Sequence, residues 1–124
     1  MFASARQNGL TAYIEDGANE WSSVHVDDLA SLCTAAATHP AGRTIINAAS
    51  RTFTPMRAIA TAVAETAGAK AISLTRAEAR DLLGPSAAIL TRSTPLDPTR
   101  AETKYNWHPT APSLLTDLRT GSYR

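Results

Sequence analysis

Trp21-Ser-Ser-Val-His-Val-Asp-Asp-Leu-Ala30 passes from a short alternating apolar segment into the start of a strongly patterned helix. Val26, Leu29, Leu32, Cys33 and Ala36 recur at three- and four-residue steps, which makes one apolar stripe and predicts a helix from about Asp27 to Thr38. Asp27 and Asp28 fall in its first turn, where carboxylates accept free backbone N–H groups and complement the helix dipole. On this reading the other elements pack around that helix.

Upstream, residues 2–9 resemble the end of a helix, with Gly9 as its left-handed cap. Thr11 to Ile14 reads as a strand, Glu15 to Asn19 as a turn, and Trp21 to Val26 as a second extended segment. Downstream, His39-Pro-Ala-Gly42 ends the patterned helix and Arg43 to Ala48 predicts a strand. Thr54-Pro55 supplies a capping hydroxyl and a first-turn proline for a helix whose buried side is Met56, Ile59, Val63 and Ala67, with Gly68 as its stop. Ala71 to Leu74 is a further strand. Thr75-Arg-Ala-Glu78 and Thr99-Arg-Ala-Glu102 both fit the reciprocal capping box. The first opens a helix to about Leu83 that stops at Gly84-Pro85, and the second a short helix ending near Tyr105 to Trp107. A last amphipathic helix spans Ser113 to Thr120, closed by Gly121. Alternating strands and helices predict an α/β or α+β layer, with a few short strands and about four to five helices in a single domain, residues 1–124.

The chain has 124 residues, 44% hydrophobic and 19% charged, as in an ordinary globular domain. Alanine supplies much of the apolar fraction and buries little area, which predicts a thin core that a neighbouring surface would complete. The net charge of +1 gives no electrostatic case for nucleic acid or an anionic membrane. Glu15, Asp16, Glu20, Asp27 and Asp28 cluster with no lysine or arginine among them, a pattern that most often marks a solvated face. The lone Cys33 excludes an internal disulfide, and its place on the stripe predicts an inert buried thiol. No signal peptide and no apolar run of membrane-spanning length stands out, so a cytoplasmic location is the default expectation.

The residues offer little complete chemistry. The six glycines are scattered, with no phosphate cradle among them, and no G-x-S-x-G elbow or H-E-x-x-H is present. His25, Asp27 and Asp28 could offer metal ligands, but helix capping accounts for both aspartates. His25 with Asp27 could serve acid–base chemistry; a histidine between two valines is more often a hydrogen-bonded core residue. Trp107-His108-Pro109 reads as a packed corner with Trp107 in the core. Trp21 either lines a pocket or covers a strand.

Taken together, these segments resemble the C-terminal part of an extended or atypical short-chain dehydrogenase/reductase, the NAD-dependent epimerase/dehydratase family. The likeness rests on Glu15-Asp-Gly17 followed by Val24-His-Val-Asp-Asp-Leu-Ala30, on Gly42-Arg-Thr-Ile-Ile-Asn47, on Thr54-Pro-Met-Arg-Ala-Ile-Ala60, and on Asp97-Pro-Thr-Arg-Ala101 with Asn106-Trp-His-Pro109, where Asn106 stands in the usual glycine place. The resemblance implies a Rossmann-type reductase whose N-terminal half binds NAD or NADP and carries a Tyr-x-x-x-Lys pair. Neither the pair nor the glycine-rich loop occurs here: the lysines are Lys70 and Lys104, and neither follows a tyrosine by four residues. In family terms the chain covers the substrate-binding half, which also accounts for the short helix at residues 2–9. No catalytic or cofactor-binding residue is assigned within it.

Nucleotide-sugar members commonly carry an arginine near the place that Trp21 holds, and an aromatic ring cannot pair with a diphosphate as a guanidinium does. The resemblance therefore implies a smaller, uncharged carbonyl or hydroxyl compound, contacted by Trp21, Ser22 and His25, with Arg92 as a polar partner. The leading expectation is a substrate-domain portion of an NAD(P)-dependent oxidoreductase or epimerase, inactive alone. The alternative is a non-catalytic interaction module that pairs with another chain, or with itself, through an exposed apolar face.

Overall fold

The computed structural model describes residues 1–39 and 42–121; the sequence reading of Pro40 and Ala41 in the helix stop lies outside them. The fold is mixed α+β. Helix α1 spans Phe2–Asn8, strand β1 Leu10–Ile14, β2 Glu20–Ser22, α2 Val26–Thr38, β3 Phe53–Pro55, α3 Met56–Ala67 and β4 Lys70–Leu74. Then follow α4 at Arg76–Leu83, a 3-10 turn at Gly84–Ser86, α5 at Ala87–Leu90, α6 at Thr99–Tyr105 and α7 at Leu114–Thr120. The described residues thus hold seven helices, more than the four to five expected. The excess is in short pieces such as the four-residue α5.

Two small sheets form. β1 and β4 pair in parallel, Leu10 opposite Lys70 through Ile14 opposite Leu74. β2 and β3 pair antiparallel, and a single bridge joins Trp21 to Thr94. The centre is α3, not the α2 stretch on which the sequence reading was built. α3 buries Met56, Ile59, Ala60, Ala62, Val63 and Ala64, and it packs on α1, β1, β4 and α7. Its cluster takes in Ala5 and Leu118, with Trp21, Leu114 and Leu115 against it. Two smaller clusters, Ile14–Ala79–Ala87 and Leu32–Ala101–Trp107, stand apart from it. The core is rich in alanine and is divided among three clusters.

Several local expectations are corrected. α2 buries only Asp28 and Leu32; Val26 is 67% exposed, Leu29 39%, and Cys33 faces solvent rather than the core. Residues 43–48 form no strand, because no neighbouring edge offers a ladder, although Ile46 and Ala48 pack on the Trp107 cluster and Ile45 stands 82% exposed. Thr54 is buried in β3, and the residue before α3 is Pro55, which makes no side-chain cap. The Thr99 box does not close: Asp97 accepts from the Thr99 N–H and hydroxyl, while Glu102 turns to Arg51. The Thr75 box does close, with Glu78 N–H to Thr75 Oγ1 at 3.2 Å and Thr75 N–H to Glu78 Oε2 at 2.8 Å.

Gly17 is held in place by contact as well as by conformation. Its φ is +62°, and a Cβ there would come within 2.7 Å of Arg57 Cβ and 2.8 Å of a Tyr13 ring carbon. Asn106 ends α6 at φ 47°, a left-handed conformation that asparagine tolerates better than most residues, which explains how it fills a glycine's place.

Candidate functional site: the cavity at the start of helix α2

The chain leaves β2 at Ser22 and reaches α2 through Ser23, Val24 and His25. His25 caps the helix: its Nδ1 accepts the Asp27 N–H at 3.2 Å. The cap is therefore the histidine and not either aspartate. With Nδ1 an acceptor, the neutral ring carries its proton on Nε2. Asp27 Oδ2 also lies 3.5 Å from Nδ1, but that side chain is 84% exposed.

Asp28 has another task. Its carboxylate, nearly buried, accepts the Thr110 N–H at 3.0 Å and the Ala111 N–H at 3.1 Å. Trp107 Nε1 donates to the Asp28 carbonyl and to Ser31 Oγ, both at 3.0 Å. These bonds draw residues 107–111 against α2 and close one wall of a cavity of about 390 Å3. Ser23, Val24 and His25 line one side, Ser50, Arg51 and Thr52 another, and Pro112, Leu114 and Asp117 a third. The Ser50 N–H donates to the Ser23 carbonyl at 2.8 Å, which fixes two of these walls together.

Asp28 and Asp117 make the interior acidic. Arg51 sits at the cavity, but Glu102 grips its guanidinium through Nε and Nη2, Thr99 Oγ1 accepts from Nη2, and Glu102 holds its pKa above the ordinary value. The cavity therefore suits a small neutral ligand better than a phosphate.

The four expected substrate contacts separate. His25 lines the cavity; Trp21, Ser22 and Arg92 do not. Those three lie instead where β2 meets residues 92–96. Trp21 Nε1 donates to the Arg92 carbonyl at 2.9 Å, and Ser22 Oγ accepts the Leu96 N–H at 2.7 Å, tying residues 92–96 to β2. Arg92 thus contributes its backbone. The sequence reading missed Asp117 and the bracing role of Asp28, whose partners lie more than 80 residues away in the chain. No local signal marks either.

The parallel β4 runs into α4, the kind of strand-to-helix turn where a dinucleotide pyrophosphate docks in nucleotide-binding folds. Here that helix start is occupied by carboxylates. Glu15 Oε1 accepts the Arg76 N–H at 2.9 Å and Glu78 closes its box with Thr75. The β4–α4 turn therefore has carboxylates where a pyrophosphate would have to sit, and does not fit one. Among the described residues no group of three His, Cys, Asp or Glu side chains could hold a metal ion, and no helix is long and apolar enough to cross a membrane.

The chain is 29% identical over 119 residues to a protein of Schizosaccharomyces pombe described only as uncharacterized; the match covers 96% of this chain and 40% of that protein. The chain thus spans less than half the length of the curated relative it matches. No family model matches the sequence, and no solved structure does so.

Proposed function

We propose that this chain is the substrate-binding portion of an NAD(P)-dependent oxidoreductase or epimerase of the short-chain dehydrogenase/reductase type, acting on a small carbonyl or hydroxyl compound. The observation that carries the reading is the cavity at the β2–α2 junction, lined by Val24, His25, Val26 and Asp28 from the Val24–Ala30 segment that resembles the family. Its acidic interior and engaged arginine favour a neutral substrate over a nucleotide sugar. His25 faces that substrate, while Trp21, Ser22 and the Arg92 backbone hold β2 beside it. The parent chemistry is hydride transfer between a nicotinamide and a carbonyl carbon. On this reading the 124 residues supply substrate contacts and no cofactor site of their own, since Glu15 and Glu78 fill the β4–α4 turn. Titration with NADH and NADPH by fluorescence tests this: no saturable binding is expected, and tight binding to this chain alone would sink the reading.

A second reading, a non-catalytic interaction module, is favoured by the exposed apolar side chains Val26 and Leu29 on α2 and Ile45 in the segment 43–48. Such a surface favours pairing with a protein partner or a second copy. Size-exclusion chromatography with light scattering separates the cases, since a clean monomer at high concentration argues against self-association.

A further inference from the structure

His25 and Asp117 face each other across the cavity without meeting. Nε2 of His25 lies 4.0 Å from Asp117 Oδ1, beyond hydrogen-bond reach, and the two side chains are 19% and 16% exposed. The tautomer fixed by the Asp27 N–H makes Nε2 a donor, and the carboxylate is an acceptor only. One atom that both accepts and donates can satisfy both at once. A water oxygen can do so, and among ligand groups a hydroxyl oxygen can.

The geometry points to a hydroxyl clamp: His25 Nε2–H donates to a ligand hydroxyl, and that hydroxyl donates to Asp117. This rests on the cavity being the substrate pocket, and it deepens that reading by selecting an alcohol over a ketone as the group held there. A carbonyl oxygen accepts from His25 but has no proton for Asp117, so the carboxylate would stay unpaired. An ammonium suits Asp117 but has no lone pair for Nε2–H. A carboxylate ligand would oppose both Asp117 and Asp28. The backbone supports the arrangement: Gly121 abuts the Asp117 carboxylate so closely that a Cβ at position 121 would run into Oδ1. Asp117 lies in α7, whose N-cap Ser113 accepts the Thr116 N–H and whose Leu118 is buried in the α3 core. The carboxylate is therefore presented by a fixed element. Leu114, Val24 and Pro112 supply apolar walls for the carbon skeleton.

The test uses the full chain and four rings that differ only in their polar group: cyclohexanol, cyclohexanone, cyclohexylamine and cyclohexanecarboxylate. Each is titrated while the His25 ring nitrogens and the backbone amides lining the cavity are followed by NMR. Cyclohexanol is expected to bind about tenfold more tightly than cyclohexanone, the factor for one hydrogen bond to a charged acceptor. Asp117→Ala is expected to erase that preference and Asp117→Asn to restore part of it, since the amide oxygen still accepts. His25→Asn keeps a capping side chain at α2 and should weaken alcohol and ketone alike. Equal binding of alcohol and ketone, or tighter binding of the amine, with shifts still centred on His25, would overturn the clamp and leave the pocket standing. Failure of every ring to shift any cavity resonance would overturn the clamp and the substrate-pocket reading together.

Discussion

Helices α2 and α3 are nearly equal in length, 13 and 12 residues, and both show apolar repeats at helical spacing. They are held in different ways. α3 buries six residues and is gripped by apolar contact on several sides. α2 buries one apolar side chain, Leu32, and is fastened by polar bonds: the Asp28 carboxylate to Thr110 and Ala111, and Trp107 to the Asp28 carbonyl and Ser31. Periodicity establishes that a segment is a helix and which face is apolar. It does not establish that anything covers the face.

The largest effects should separate the two helices directly. Met56→Ala removes a buried side chain from the α3 cluster and should cost about 3 kcal/mol of unfolding free energy, a typical value for a core truncation that leaves a cavity. Leu29→Ala, half exposed on α2, should cost less than about 1 kcal/mol. Denaturant titration of both variants decides. Equal losses would break the comparison and mean that the α2 face is covered in solution, which is what the interaction-module reading requires.

Next in size is Asp28→Ala, expected to cost about 2 kcal/mol because two backbone donors lose a carboxylate partner. Amide hydrogen exchange should quicken at Thr110 and Ala111 while α3 amides stay protected. Loss of protection throughout α3 would show that the two regions unfold as one unit. Trp107→Phe keeps most of the buried ring but deletes both bonds from Nε1, and should cost about 1 kcal/mol, read from the shift of the denaturation midpoint.

These residues also mark what the sequence could disclose. The Gly9 and Gly68 stops, the Thr75 box and the buried face of α3 were legible because each depends on neighbours within one or two turns. Trp107 was legible as a core anchor within the Trp107-His108-Pro109 corner, and it is buried. Asp28 was misread as a cap because its competing partners, Thr110 and Ala111, are near only in space. The same holds at Thr99, where Arg51 draws Glu102 away from the box. Segment 43–48 carries strand-forming residues, but a strand exists only with a partner edge, and composition does not supply one. Of the cavity lining, His25 stands in the stretch that the sequence reading singles out; Asp117, across the cavity, carries no such local mark.

The smallest expected effect is a pH dependence, and it lies at the start of α4, where Glu78 is bound by its near neighbour Thr75. Thr75 holds the Glu78 carboxyl below its ordinary value of 4.5, first through its backbone N–H and then through its hydroxyl. A folded-state value below the unfolded one means the ionised group favours the fold. Its contribution is complete above about pH 4.5 and fades as the pH falls through the lower folded value. Glu78→Gln abolishes the titration while preserving a side chain that can still accept from Thr75. The melting temperature of wild type should therefore exceed that of the variant at pH 6, and the gap should narrow as the pH falls below 4.5 and through the lowered folded value, where Glu78 takes up its proton and resembles glutamine. Asp97 responds in the same direction, because the Thr99 hydroxyl and N–H lower its value too, but it titrates in both proteins and cancels from the difference. A gap that stayed constant across this range would show that Glu78 stabilises α4 by shape and packing rather than by charge. The strictly local half of the contrast with Asp28 would then be wrong.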